Sequence, residues 1–339
     1  MRSYNRAARQ RWPGAAAPSM PSHDLLLIKT SSLGDIVHNL PVASDIRRAF
    51  PDARIDWLVE EGFAAIPRLH PALHAVIPVA WRRWRKTLCA ADTRREIREF
   101  AQKLRARRYD LVLDSQGLLK SALLARLAHG PRAGFAAASA REALAALFYQ
   151  RRFVVTRAQH AVQRNRQLAA SAFGYALDAH CDYGLAPAAR AAVASDYWML
   201  LHMSSRPHKL WPEAQWIALA RQLAARGLRA VIPAGNEIER TRGERLAAAC
   251  NGELLPPSSL EKLAELCAGA ALAVGVDTGL THLAAATGIP ALGIFVATDP
   301  NRTGVFAPGT AINLGGAGAA PSVDEVMAHL NNLLEGRVR

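Results

Sequence analysis

Leu25-Leu26-Leu27-Ile28-Lys29, followed at once by Thr30-Ser31-Ser32-Leu33-Gly34-Asp35, sets the fold class of this chain. A short unbroken apolar run suits a strand buried on both faces, as in a parallel sheet covered by helices. The small residues behind it form a turn, and residues 36–50 read as one helix stopped by Pro51. The alternation continues with strands at 54–59, 75–79 and 111–114 and helices at 92–108 and 118–128.

The second half repeats the theme. Strands are expected at 197–203, 228–233, 271–276 and 291–295. A helix opens at Pro212 and stops at Gly227, a second is capped by Ser258 with Glu261, and Asp277-Thr278-Gly279 opens a third. Ser322 and Glu325 cap a last helix with the apolar stripe Val323, Val326, Met327, Leu330, Leu334. Two such sets imply an α/β protein of two doubly wound domains with the boundary inside 159–194. Ligands of such folds bind at the carboxyl ends of the strands, so two facing domains would share a cleft.

Composition narrows the partners. The chain has 339 residues, 50% apolar and 21% charged, and no apolar run near the ~18–20 residues needed to span a bilayer. A soluble protein is expected. Cys89, Cys181, Cys250 and Cys267 are far apart and suggest neither a disulfide framework nor a zinc site. Residues 1–22 hold Arg2, Arg6, Arg9 and Arg11 without an acid or an apolar core; they read as a disordered tail or an upstream extension rather than a signal peptide. The net charge is +14, and residues 81–108 carry eleven Lys or Arg against three acids. So local an excess implies an anionic partner: nucleic acid, an anionic membrane or a polyanionic substrate.

Four segments carry chemistry. In Lys29–Asp35, backbone N–H groups and a helix start face a ligand, and Asp35 fits both a helix N-cap and a carboxylate base. The glycine fingerprints of dinucleotide sites and P-loops are missing, which disfavours a dehydrogenase. In Val274–His282 a strand ends in Asp277 and Thr278-Gly279 opens a helix, a corner suited to a diphosphate, with His282 one turn on. Ser204, Ser205 and Lys209 lie between a strand and a helix and suit an anion, although the segment by itself reads rather as a solvated loop. Trp81-Arg82-Arg83-Trp84-Arg85-Lys86 interleaves aromatics with bases, as nucleic acid, an anionic bilayer or a phosphorylated sugar acid would require. No D-x-D occurs, and the acids and histidines suggest no metal constellation, so neither metal nor cofactor is expected.

Taken together, KTSSLGD (29–35), DWLVEEGF (56–63), IPVAWRRWRK (77–86), DSQGLLKSA (114–122), QHAVQRNR (159–166), KLWPE (209–213) and VGVDTGLTHLAAA (274–286) occur in an order that resembles glycosyltransferase family 9, in particular its heptosyltransferase I branch. The resemblance runs from His23 to the last helix and implies a GT-B fold, two Rossmann-like domains facing a central cleft. It implies an acceptor-binding domain at 23–175, an ADP-heptose-binding domain at 190–320, and a C-terminal helix at 321–339 packing back on the first domain. Asp35 matches the family's catalytic base. Ser204, Ser205, Lys209, Glu239, Ser258, Asp277, Thr278, Gly279 and His282 match its donor site. Arg82, Arg83, Arg85, Lys86 and Lys120 match its acceptor side. Ser204-Ser205 stand where the family often has two threonines, which keeps both hydroxyls.

The implied activity is inverting transfer of L-glycero-D-manno-heptose from ADP-heptose to the first Kdo of Kdo-lipid A. The partners are these two substrates and the anionic inner-membrane surface, with no nucleic acid, and the location is peripheral on its cytoplasmic face. The rivals are a heptosyltransferase II, which adds the second heptose, and a non-catalytic protein binding anionic lipid or nucleic acid.

Overall fold

The computed structural model describes residues 23–185 and 195–335. The arm 1–22 lies outside the described residues, as does part of the expected boundary. The first sheet holds β1 (Asp24–Ile28), β2 (Arg54–Glu60), β3 (Leu73–Val79), β4 (Leu111–Asp114), β5 (Arg132–Phe135) and β6 (Arg151–Phe153). Their order is β3-β2-β1-β4-β5-β6, every pair parallel. The second holds β7 (Tyr197–Leu201), β8 (Arg229–Ile232), β9 (Glu253–Leu254), β10 (Ala273–Val276), β11 (Ala291–Phe295) and β12 (Ala311–Gly315), in the order β12-β11-β10-β7-β8-β9. Read from its first strand outward, this is the same winding. Each sheet reverses direction at its centre, between β1 and β4 and between β7 and β10, and there the carboxyl edge opens a crevice.

Leu25 to Ile28 are at most 2% exposed, as the opening apolar run requires. β5 lacks such a run. Its Gly134 is where the Tyr149 ring lies against the backbone, since a Cβ there would stand 2.4 Å from the ring. The helix expected over 36–50 is two, Leu33–Val37 and Leu40–Ala49, broken at His38-Asn39. Pro41 in the second helix's first turn has no N–H to continue the first. The cap expected at Ser258 is Ser259, whose side chain accepts from Lys262 N.

The segment after β6 completes the first core. Helix Ala161–Phe173 packs Leu168, Ala169 and Ala172 into it, and Tyr183 and Leu185 join them. The fully buried Arg166 guanidinium pins this segment. It donates to both Asp45 oxygens, at 2.7 and 2.9 Å, and to the carbonyls of Asp178 and His180.

The last helix, Val323–Glu335, does not cross back. Val326, Met327 and Leu330 are buried with Trp198, Trp211 and Trp216 in the second lobe's core. Among the described residues no helix is long and apolar enough to cross a membrane.

The lobes meet directly. Helices Leu33–Val37 and Gly279–Ala286 are in contact across them, and a Cβ on Gly279 would stand 2.7 Å from that of Leu33. Leu283 and Ala286 of the second lobe are buried in the same cluster as Ile36 and Ile66 of the first.

Candidate active site

Both crevices are laced by hydrogen bonds between the two strand ends that form them. In the first lobe, Lys29 Nζ donates to Ser115 O at 2.9 Å and to Asn165 Oδ1 at 3.5 Å, and Thr30 N and Oγ1 both donate to Gln116 Oε1. In the second, Ser204 Oγ donates to Asp277 O at 3.0 Å. The Ser115, Gln116 and Asp277 links join the segments that follow the two central strands across the switch point, and the Asn165 link ties Lys29 to helix Ala161–Phe173.

Asp35 is the third residue of its helix, with Ser32 as N-cap. Its Oδ2 accepts from Ser32 N at 3.1 Å and Ser32 Oγ at 3.3 Å, and pairs with Arg141 at 3.2 Å. The N-cap expected at Asp35 is therefore Ser32; Asp35 accepts back from the cap residue from one turn inside the helix, and its carboxylate, 26% exposed, lines the cleft. Burial alone would raise its pKa, but Lys29, Arg141 and the Ser32 N–H outweigh it and hold the carboxyl below its ordinary value. The Lys29 ammonium is drawn by burial down to about 8, against the pull of Asp35.

The cleft between the lobes encloses about 520 Å³. Lys29, Asp35, Arg141 and Arg164 line it from the first lobe, and Thr298 and Arg302 from the second. The arginines were missed in the sequence because they stand singly on three separate segments, a loop and two helices. Thr298 was missed as one polar residue after β11, yet its Oγ1 donates to Asp277 Oδ2 at 2.7 Å, the oxygen that also pairs with Lys209.

The expected donor residues divide into groups. Ser204, Lys209 and Asp277 come together at the second crevice, with Thr278 as N-cap and Gly279 as first residue of the next helix. Glu239 stands after β8, accepting from Gly235 N at 2.7 Å and Asn236 Nδ2 at 2.8 Å. Ser205 is exposed, and Ser258 donates to Pro256 O. His282 lies between the crevice and the first lobe, its Nε2 4.0 Å from Asp277 Oδ1. It is 6% exposed, with Nδ1 3.1 Å from His38 Nε2 of the first lobe, because helix Leu33–Val37 lies over it. Burial draws His282 down to about 4 although Asp277 pulls the other way, and His38 lies well below its ordinary value for the same first reason.

Among the residues expected on the acceptor side, Lys120 Nζ donates to Ser31 Oγ at 2.9 Å and so reaches the Lys29–Asp35 turn. Arg82 lies over the Phe63 ring at 4.9 Å, while Arg83 is paired with Glu61 and Glu96. Arg85 and Lys86 are exposed. Trp84 is a core residue, 6% exposed, stacking edge-on with Phe100 and donating to Glu96 Oε2, while the half-buried Trp81 packs on the same cluster and lines a surface groove. Part of the basic run is structural too, since Arg107 pairs with the buried Asp56. His70 and His74, four apart, turn to separate partners, Ser44 and Asp56. Among the described residues no three His, Cys, Asp or Glu are gathered as a metal site.

The sequence profile of glycosyltransferase family 9 (heptosyltransferase) matches residues 97–331, across both lobes. The chain belongs to glycosyltransferase family 9. It is 48% identical to lipopolysaccharide heptosyltransferase 1 of Pseudomonas aeruginosa over 287 residues, 83% of this chain and 81% of that protein. Its structure superposes on E. coli heptosyltransferase WaaC with ADP at a TM-score of 0.85 and 39% identity, covering 91% of this chain and 99% of that one. WaaC with ADP-2-deoxy-2-fluoro heptose gives a TM-score of 0.82 at the same identity and coverage. The two-lobed arrangement of this family 9 chain is therefore GT-B.

Proposed function

We propose that this family 9 enzyme transfers heptose from ADP-heptose to the first Kdo of Kdo-lipid A, inverting the anomeric centre, on the cytoplasmic face of the inner membrane. The observation that carries the reading is the cleft in which Asp35 and Lys29 of one lobe face Thr298 and Arg302 of the other, beside the Lys209–Asp277 pair. Likeness to proteins named for this reaction, one of them with a fluorinated donor analogue, supports the choice of substrates.

The acceptor hydroxyl attacks the anomeric carbon from the face opposite the diphosphate. Its oxygen forms the new bond, the bond to the diphosphate oxygen breaks, and the hydroxyl proton passes to Asp35. A carboxylate held low is a weak base. That suffices here, because a nucleoside diphosphate departs readily and proton transfer follows bond formation. Negative charge grows on the departing phosphate, and the N-terminus of helix Gly279–Ala286, the Ser204 hydroxyl and Lys209 are the groups placed to meet it. Lys120 and the arginines of the cleft suit an acceptor that carries carboxylates and phosphates.

The test is transfer from ADP-heptose to Kdo-terminated and heptose-terminated lipid A, with and without EDTA. Transfer to the Kdo acceptor, undiminished by the chelator, is expected. Transfer to the heptose acceptor alone would overturn the reading in favour of the second enzyme of the series.

A further inference from the structure

Four large side chains that the reaction does not use stand in water on one surface of the first lobe. Leu144 and Leu147 are 63% and 70% exposed, Leu119 and Leu123 are 36% and 41% exposed. Their arrangement follows from local geometry. Residues Ala143–Phe148 form a 3-10 helix, in which positions three apart eclipse, so Leu144 and Leu147 stack on the outer face while Ala145 and Ala146 are buried beneath. Leu119 and Leu123 lie one turn apart on helix Leu119–Ala125. The two segments are fastened together: Leu119 N donates to Glu142 Oε2 at 2.6 Å, and Ala122, Ala145 and Tyr149 share a small core.

The surface continues into a groove of about 600 Å³ lined by Trp81, Leu123, Leu124 and Leu127 together with Arg105, Arg126 and Arg132, with no acid among its lining residues. Arg132 Nε donates to Phe148 O at 3.0 Å, which fixes the groove to the end of the 3-10 helix. At its other border the patch reaches the reaction cleft, since Lys120 and Arg141 flank Leu119 and Leu144 in the chain and point to Ser31 and Asp35.

We propose that this surface, the four leucines with Arg105, Arg126 and Arg132, is where the protein docks on an anionic lipid bilayer. It borders the Trp81–Lys86 run and shares Trp81 with it, but Trp84 is buried and Arg83 is already paired. Exposed leucines beside arginines match the boundary between acyl chains and anionic headgroups. A second copy of the chain fits poorly, because a two-fold contact here would bring two acid-free arginine grooves together. The proposal rests on the reading above in one respect, that the acceptor is a lipid; docking here would place the cleft mouth at the height of a sugar on the headgroup.

The experiment is co-sedimentation of the full chain with phosphatidylcholine vesicles, with and without phosphatidylglycerol. Binding to the anionic vesicles is expected. Leu144→Ser with Leu147→Ser should weaken it about tenfold or more. Arg105→Gln with Arg126→Gln should remove the preference for anionic lipid, and Ile238→Ser, an exposed side chain on the other lobe, should change nothing. Both double variants should turn over a deacylated, water-soluble acceptor at the wild-type rate. This separates the two ideas, because no transfer by any form would sink the transferase reading while leaving the vesicle result to stand by itself. A wild-type chain that ignores vesicles, or leucine variants that bind them as well as wild type, overturns the docking surface. A leucine variant that instead dissociates a dimer in sedimentation velocity also overturns it and assigns the face to a second copy.

Discussion

His38 Nε2 stands 3.1 Å from His282 Nδ1, a hydrogen bond that ties one lobe to the other where their helices touch. A bond between two ring nitrogens needs one donor and one bare acceptor, so a proton added to the facing acceptor nitrogen breaks it. His160 joins this cluster, its ring 5.3 Å from that of His38 and its Nε2 3.0 Å from Gly304 O of the second lobe.

The first prediction concerns acid. His70, His202 and His282 are each drawn by burial to about 4 from an ordinary 6.5. Between these values the unfolded chain binds protons that the folded chain refuses, so stability is full above 6.5 and falls as the pH drops toward 4. Each histidine contributes a loss of about 3 kcal/mol across that window. Urea unfolding at stepped pH should show the decline, and His282→Asn should make it shallower by about one proton. An unchanged slope in the variant would refute the assignment to this site.

Replacing the base is the second. Asp35→Ala should cut kcat by about 10²–10⁴-fold with ADP binding retained. Arg141→Gln removes a charge that holds the carboxyl down, so the acid limb of kcat/KM should move to higher pH. A pH–rate profile superimposable on wild type would show that Arg141 does not tune Asp35.

A third prediction separates the two groups on Asp277. Lys209→Ala removes an ammonium placed to meet the growing charge and should lower kcat by about 10²–10³-fold. Thr298→Val leaves that charge and takes only a hydroxyl from Asp277 Oδ2, so about tenfold is expected, mostly in donor affinity. Calorimetry with ADP beside steady-state kinetics distinguishes them.

Lys29 supplies the fourth. Its pKa of about 8 lies below the 10.5 of an exposed lysine. Between these values the unfolded chain holds more protons, so this residue makes stability rise with pH from 8 to 10, by about 3 kcal/mol at most. Lys29→Met should abolish that rise while also lowering turnover. Denaturant titrations at pH 8 and pH 10 measure the first effect, and a rise that persists in the variant would place it elsewhere.

The fold was legible where strands are buried on both faces, because runs such as Leu25–Ile28 admit few other readings. It was illegible at β5, whose Arg-Ala-Gly-Phe owes its place to Tyr149 folding over Gly134, a contact between residues fifteen apart. The last helix showed its stripe plainly but not its partner, since Val326 and Leu330 fit any apolar groove and only the tertiary fold selects Trp198 and Trp211. In the site, Asp35 and Asp277 announced themselves through strand-to-helix turns. Arg141, Arg164 and Arg302 did not, because the cleft gathers them from a loop and two helices far apart in the chain. Composition also misled: tryptophans amid arginines looked like a binding face, and Trp84 lies in the core.

The hold of Arg166 on Asp45 has a consequence for how this chain is made. When β6 leaves the ribosome, all six strands of the first sheet exist, yet Asp45 is buried without its partner and the places of Leu168 and Tyr183 are empty. The half-protein cannot close until residues 161–185 have followed. A nascent chain stalled just after β6 should therefore remain open to protease, and one stalled with residues up to Leu185 past the exit tunnel should not.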